Sequence, residues 1–259
     1  MPFTVSHAAV VPPLRRLARG GLFAPALAAG SMAPDFSYFS PLGVPWRVSH
    51  SLPGLLTWST PASLVALALY DALLRPGLLA LLPSRSWPLA GRALQPGLPR
   101  TRRDAALAVP SILLGALTHL LWDSFTHGGG WGVARWPGLL ERPVALGPLT
   151  RPVYSWAQYA CSIAGLAALA GWAWLWARRP GREVVHPRRP LRGRAAAAPA
   201  VLAAALLLGL ANAAAWAQQG STTRLVRTAA VGFVVGAISG LLFSVAGVGA
   251  WSRLGRPGR

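Results

Sequence analysis

Four of the five histidines in this 259-residue chain fall, with two aspartates, into a pattern suited to binding a metal ion. His119, Asp123 and His127 recur every fourth residue within one apolar stretch. On a helix a four-residue step drifts by only about 40°, so the three form a stripe facing one way. His7, Asp35 and His50 precede them in less apolar sequence. Imidazole and carboxylate suit zinc and related divalent ions. An ionised aspartate at membrane depth is costly unless it is paired or metal-bound, and Asp123 sits in Leu-Leu-Trp-Asp-Ser-Phe. A His-x-x-x-Asp pair alone is equally a helix–helix hydrogen bond or a proton relay; the further groups that can converge on it favour a metal. Asp35 alone would read as a turn or N-cap residue after Ala33-Pro34, and His50 alone as an interfacial histidine. Cys161 is the single cysteine, which rules out an internal disulfide and a cysteine-based zinc site. His186 stands apart in a basic segment and takes no role.

The elements that must position these groups are helices in a membrane. The chain is 53% hydrophobic and only 12% charged, with a mean hydropathy of +0.44, so it cannot cover a soluble surface with charge. Five stretches reach span length: Leu52–Leu74, Ala105–Thr126, Ser155–Ala177, Ala195–Ala217 and Ala229–Ala250. The expected fold is an all-α polytopic helical membrane protein of about five transmembrane helices. Residues before Leu52 are broken by Gly20, Gly21, Pro25, Gly30 and Pro34, and predict two short interfacial helices on or dipping into the membrane surface. A signal peptide reading fails, because the apolar core is short and holds a proline. Trp58, Trp87, Trp131, Trp136, Trp156 and Trp251 near span ends predict an interfacial belt. Three regions follow: a membrane-embedded site domain over 1–177, a basic loop over 178–194, and a two-span hairpin over 195–259. Gly232, Gly236, Gly240 and Ser244 make a small-residue ridge, expected to pack within the chain rather than against a second copy. Asp71 is expected to pair with Arg75 one turn on.

The net charge of +19 is carried entirely by arginine, 25 residues with no lysine. The arginines lie between apolar stretches, as topology determinants and anionic-lipid contacts do, so membrane lipids rather than nucleic acid are the expected partners. Counting by loops puts nine at the face of the N-terminal segment and sixteen at the other. That bias predicts a multi-pass plasma-membrane protein with a cytoplasmic C-terminus and with the histidines at the outer face.

Four blocks in order carry a resemblance. They are Met1-Pro2-Phe3-Thr4-Val5-Ser6-His7-Ala8-Ala9, Ala29-Gly30-Ser31-Met32-Ala33-Pro34-Asp35-Phe36, Ser49-His50-Ser51-Leu52-Pro53-Gly54, and His119-x-x-x-Asp123-x-x-x-His127-Gly128. Together they resemble domain-of-unknown-function family 4184, a bacterial membrane family, over roughly residues 1–177. That family is distantly similar to inner-membrane proteins labelled metal-dependent hydrolases and to the zinc-dependent phospholipase C and S1/P1 nuclease group. The resemblance implies that Asp35, His50, His119 and Asp123 hold a first ion. It further implies that His7 with Asp123 approaches a second, that His127 serves another, and that Asp35 is the general base. The soluble enzymes use an N-terminal tryptophan where this chain has Met1, and a downstream His-x-x-x-Glu where it offers only Glu141. One or two divalent ions, zinc first, are therefore expected.

The activity this distant resemblance implies is a membrane-bound metal-dependent hydrolase, acting on a phospholipid or other lipid-linked phosphoester. Arg47, three residues before His50, would contact phosphate. The alternative is a non-catalytic membrane protein whose metal is structural or transported, or whose His/Asp cluster only packs. A transporter should break or polarise several helices near mid-membrane, and the last three spans hold almost no ionisable residue, Asn212 being the main polar exception.

Overall fold

The computed structural model describes residues 4–40, 42–83, 86–178, 194–219 and 225–254. The basic loop expected over 178–194 lies almost wholly outside the described residues, as do His186, Arg224, Arg256 and Arg259. The described chain is helical apart from one hairpin. A 3-10 turn, Thr4–Val10, leads into α1 (Val11–Leu17). Then come α2 (Ala24–Met32), a second 3-10 turn (Ala33–Phe39) and α3 (Trp46–Ser49). The long helix α4 (Leu52–Leu81) is followed by α5 (Trp87–Ala93) and α6 (Arg102–Thr126). Two short helices, α7 (Trp131–Arg135) and α8 (Pro137–Leu140), precede an antiparallel pair, β1 (Pro143–Leu146) and β2 (Leu149–Pro152), in which Leu146 faces Leu149. Helices α9 (Val153–Ala177), α10 (Arg194–Gln219) and α11 (Leu225–Leu254) complete it.

Four helices are long and apolar enough to cross a membrane: α4, α6, α9 and the Val231–Ser252 stretch of α11. The fifth expected span corresponds to α10, whose described apolar stretch, Pro199–Ala215, is shorter. Helix α4 does not stop at Leu74 as expected. It continues through Arg75-Pro76, because Pro76 falls in the first turn of a fresh helical segment after a π turn at Tyr70–Leu74. The Gly128–Tyr154 connection, expected as a loop, contains the β hairpin, with Gly147 at φ +59° in its turn.

The chain forms two compact units that do not follow sequence order. One comprises Met1–Leu67 and Leu98–Arg179, the other Ala68–Gly97 and Pro180–Arg259. In the second, α11 packs antiparallel to α10, with Gly236 against Leu208 and Asn212, and Gly240 against Ala205. Its other end meets the close of α4, Gly249 against Leu73 and Val245 against Gly77. The glycine ridge is thus used within the chain. Asp71 has another partner than the one expected: its Oδ1 accepts the Gly97 N–H at 2.8 Å, while Arg75 Nε donates to the Leu94 carbonyl at 2.6 Å. Both bonds tie the segment after α5 back onto α4.

The first unit is built around α6. Helix α2 runs parallel to it through its middle, from the Phe23 N–H on Ser111 Oγ (2.9 Å) to the Ser31 carbonyl on His119 Nδ1 (2.8 Å). Gly30 and Gly115 permit this approach: a Cβ at Gly30 would strike the Ile112 backbone, and one at Gly115 the Leu27 carbonyl. Ala26, Leu27, Ala29, Ala108, Ile112 and Ala116 are buried along this seam. Helix α2 thus packs along a helix long and apolar enough to cross a membrane. The turn after α1 reaches the opposite end of α6, where Arg103 Nη2 donates to the Gly20 carbonyl at 3.2 Å. Arg15, Arg16 and Arg19 therefore lie near Arg102 and Arg103, not at the histidine end where counting by loops placed them.

Candidate metal centre

Each candidate ligand is set by its own local structure. Pro34 opens the 3-10 turn that carries Asp35, and Trp58 Nε1 donates to the Ala33 carbonyl at 3.0 Å, locking that turn to α4. Asp35 is 5% exposed, and its Oδ2 accepts the Thr4 hydroxyl at 2.7 Å. Burial alone would raise its pKa. His50, His119 and Thr4 outweigh burial and hold the carboxyl well below the usual range. His50 ends α3 just before the Ser51 N-cap of α4, whose first turns include a π turn at Leu55–Ser59. His119 is fully buried on α6, and Asp123 follows one turn later. His127 does not complete a helical stripe, since α6 ends at Thr126, but its N–H still bonds the Asp123 carbonyl at 3.0 Å.

Hydrogen bonding orients both imidazoles. His119 Nδ1 faces the Ser31 carbonyl, which only accepts, so Nδ1 donates and Nε2 is turned inward. His50 Nδ1 lies 2.9 Å from Ser49 Oγ, which likewise turns its Nε2 inward. Both Nε2 atoms are buried without a hydrogen-bond partner among the described residues. They face two carboxylates. His50 Nε2 is 3.4 Å from Asp35 Oδ1 and 3.7 Å from Asp123 Oδ2. His119 Nε2 is 3.8 Å and 3.4 Å from the same two atoms. Two imidazole nitrogens and two carboxylate oxygens thus converge in a group that could hold a metal ion. The spacing is close to the edge of a ligand tetrahedron around a small divalent ion, about 3.3 Å for bonds of about 2.0 Å.

Asp123 also presents its other oxygen to a second pair. Oδ1 lies 3.7 Å from His7 Nε2 and 3.4 Å from His127 Nδ1. The His7 ring stacks on His119 with centroids 3.8 Å apart. Burial and the neighbouring His119 pull its pKa down to about 4 against the attraction of Asp123, leaving a neutral imidazole at neutral pH. The structure thus brings together His7, Asp35, His50, His119, Asp123 and His127, and the groups His7–His119–Asp123 and Asp35–His50–His119 could each hold a metal ion. Arg47 is not among them; it is exposed on α3, and Trp46 is the side chain of that helix that lines the site.

A pocket of about 370 Å³, mouth included, opens onto His7, Asp35, Asp123 and His127. Its walls add Thr4, Ser6, Tyr38, Thr126, Gln158 and Ser162, with Trp46 and Trp122 among them and still 43% and 49% exposed. Burial and the two aspartates push the Tyr38 phenol up to about 12, so it stays a donor. Gln158 Nε2 lies 2.5 Å from His127 Nε2. The sequence reading expected α9 as a span but gave it no part in the site. The available signal was Ser155, Gln158 and Ser162, a polar stripe at helical spacing in an otherwise apolar helix.

The family described as Domain of unknown function (DUF4184) matches residues 1–248. The chain belongs to that family. The DUF4184 match runs past the site domain into α11, beyond the residue 177 at which the quoted motifs stop carrying resemblance. Helices α10 and α11 carry small and aliphatic residues with little chemistry to single out, which is why the motifs gave out there. No curated protein matches, and no solved structure matches.

Proposed function

We propose that this DUF4184 chain is a membrane-bound metal-dependent hydrolase that acts on a phospholipid or other lipid-linked phosphoester at the outer face of the plasma membrane. The observation that carries the reading is the convergence of two buried imidazole nitrogens and two buried carboxylates beside an open pocket. Asp35, His50, His119 and Asp123 would hold one ion, zinc by its preference for nitrogen and oxygen ligands at this spacing. His7, His127 and the second Asp123 oxygen would hold another. Such ions supply a Lewis acid that offsets charge on phosphoryl oxygens and make water a nucleophile near neutral pH. Asp35 would orient the attacking water and take its proton, with Thr4 fixing the carboxyl. Tyr38 would donate to the substrate, and Gln158 would hold the His127 ring in place.

The lipid assignment rests on position. The site lies at the end of a helix long enough to span, where head groups lie, and it opens outward past Trp46 and Trp122. Trp46 and Trp122 would shelter the chains at the mouth. Arg47, being exposed, would meet phosphate only at the rim. Four ligands closing one coordination sphere would instead make a structural clamp, but a pocket opening onto Asp35 and Asp123 favours catalysis.

The test is metal content of detergent-purified protein by elemental mass spectrometry, with turnover of phospholipid and phosphodiester substrates. The wild type is expected to carry one or two equivalents. Asp35→Asn, which keeps an oxygen ligand but loses the charge and the base, is expected to lose about 100-fold or more in rate even with the metal supplied in excess. No metal after reconstitution would end the hydrolase reading, and full activity in Asp35→Asn would remove the base role.

A further inference from the structure

Five arginines gather at the end of α6 remote from the metal centre. Arg15, Arg16 and Arg19 lie on α1 and the turn after it, and Arg102 and Arg103 open α6. All five are exposed, and among the described residues none makes an ion pair. The nearest acidic residue in sequence, Asp104, already accepts the Thr101 hydroxyl and amide-caps the helix through it. The turn is built rather than frayed. Ala18, Gly20 and Gly21 N–H groups bond the carbonyls of Leu14, Arg15 and Ala18, and Arg103 clamps the Gly20 carbonyl. Arg19 holds φ +45°, a left-handed conformation that glycine or asparagine adopts at lower cost. Leu17, between the arginines, is 78% exposed.

The distance decides what lies at this level. Twenty residues of helix separate Arg103 from Asp123, a rise of about 30 Å, which equals the hydrocarbon thickness of a bilayer. With the metal centre among the head groups of one leaflet, the arginine turn is among those of the other. Guanidinium groups bind phosphate through paired N–H donors, and clustered basic residues beside a span draw anionic lipid. We propose that Arg15, Arg16, Arg19, Arg102 and Arg103 form a binding site for anionic phospholipid head groups on the leaflet opposite the metal centre, with Leu17 inserted beside the acyl chains. An anionic protein or nucleic acid meets the same charge but has no use for the exposed leucine. The site requires no metal, so its test is independent of the hydrolase reading.

The full-length protein is purified in mild detergent and exchanged into nanodiscs of phosphatidylcholine with graded phosphatidylglycerol. Co-purifying lipid is then counted by native mass spectrometry. The wild type is expected to retain phosphatidylglycerol over phosphatidylcholine and to release it between about 0.1 and 0.5 M salt. Each arginine at the surface contributes about fivefold in affinity, so the triple variant Arg15→Gln, Arg16→Gln, Arg19→Gln should lose about 100-fold, with metal content unchanged. The variant Arg142→Gln, Arg151→Gln, altered at the other end of the unit, should retain lipid like the wild type. Should the triple variant not fold, Arg102→Gln with Arg103→Gln and the salt series on wild type carry the same test. Equal retention of both lipids by the wild type overturns the proposal. So does unchanged retention in the triple variant, or displacement of the lipid by an oligonucleotide at equal charge.

Discussion

Around α6 the first unit buries Asp35, His119 and Asp123 together with the hydroxyls of Thr4, Ser31, Ser49, Ser59, Ser63, Ser111 and Thr126. Around α11 the second unit buries Leu79, Ala80, Val201, Ala205, Val235 and Val245, with Ser252 satisfied on its own helix by the Gly249 carbonyl. Both units bring helices close through small residues, Gly30 and Gly115 in one, Gly236 and Gly240 in the other. Close packing therefore suffices to hold membrane helices together, and buried polar groups are not needed for it. In the first unit some of them serve the fold, as Ser111 does for Phe23, while Asp35, His119 and Asp123 converge on a group that could hold a metal ion.

The largest break in that comparison comes from Asp123→Ala. Asp123 faces four imidazoles, so metal should fall from one or two equivalents to below about a tenth, an effect beyond the 10- to 100-fold that a supporting residue costs. Gln158→Ala should weaken metal binding by about 10- to 100-fold, read by competition with a chelator, because only the His127 ring is loosened. Gly236→Leu should cost about 1–3 kcal/mol in thermal stability through overpacking against α10 while leaving metal stoichiometry intact. Loss of metal in that variant would show that the second unit supports the site after all. The smallest effect is expected at Asn212, whose amide donates to the Gly232 carbonyl at 2.7 Å. Asn212→Ala should cost about 0.6 kcal/mol with no change at the metal centre.

The spans and the ligand types were legible in the sequence, because apolar runs and isolated polar residues within them are strong local signals. His119 and Asp123 needed only helical spacing. Which loops bring His7, Asp35 and His50 to them was legible only through the family resemblance. Three things were not readable. The path of α1 and α2 depends on the fit of Gly30 to Ile112, 82 residues further on, a matter of shape that no local period records. Gln158 was hidden in the apolar composition of α9. The arginines of α1 were assigned by loop order, whereas the chain reverses at Gly20 and carries them to the far end of α6.

The pairing of α2 with α6 also sets an order of assembly. The segment from Thr4 to Phe39 leaves the ribosome well before its partner, for Phe23 and Ser111, like Ser31 and His119, stand 88 residues apart. Its helices are too short and too interrupted to be inserted as a span on their own, and they rest on α6 and, with Ser6 against Gly165, on α9. The segment must wait at the interface until α6 is integrated and then dock. The centre is thus completed late in biogenesis, and a chain halted before α6 would hold Asp35 and His50 without a cavity to bind anything.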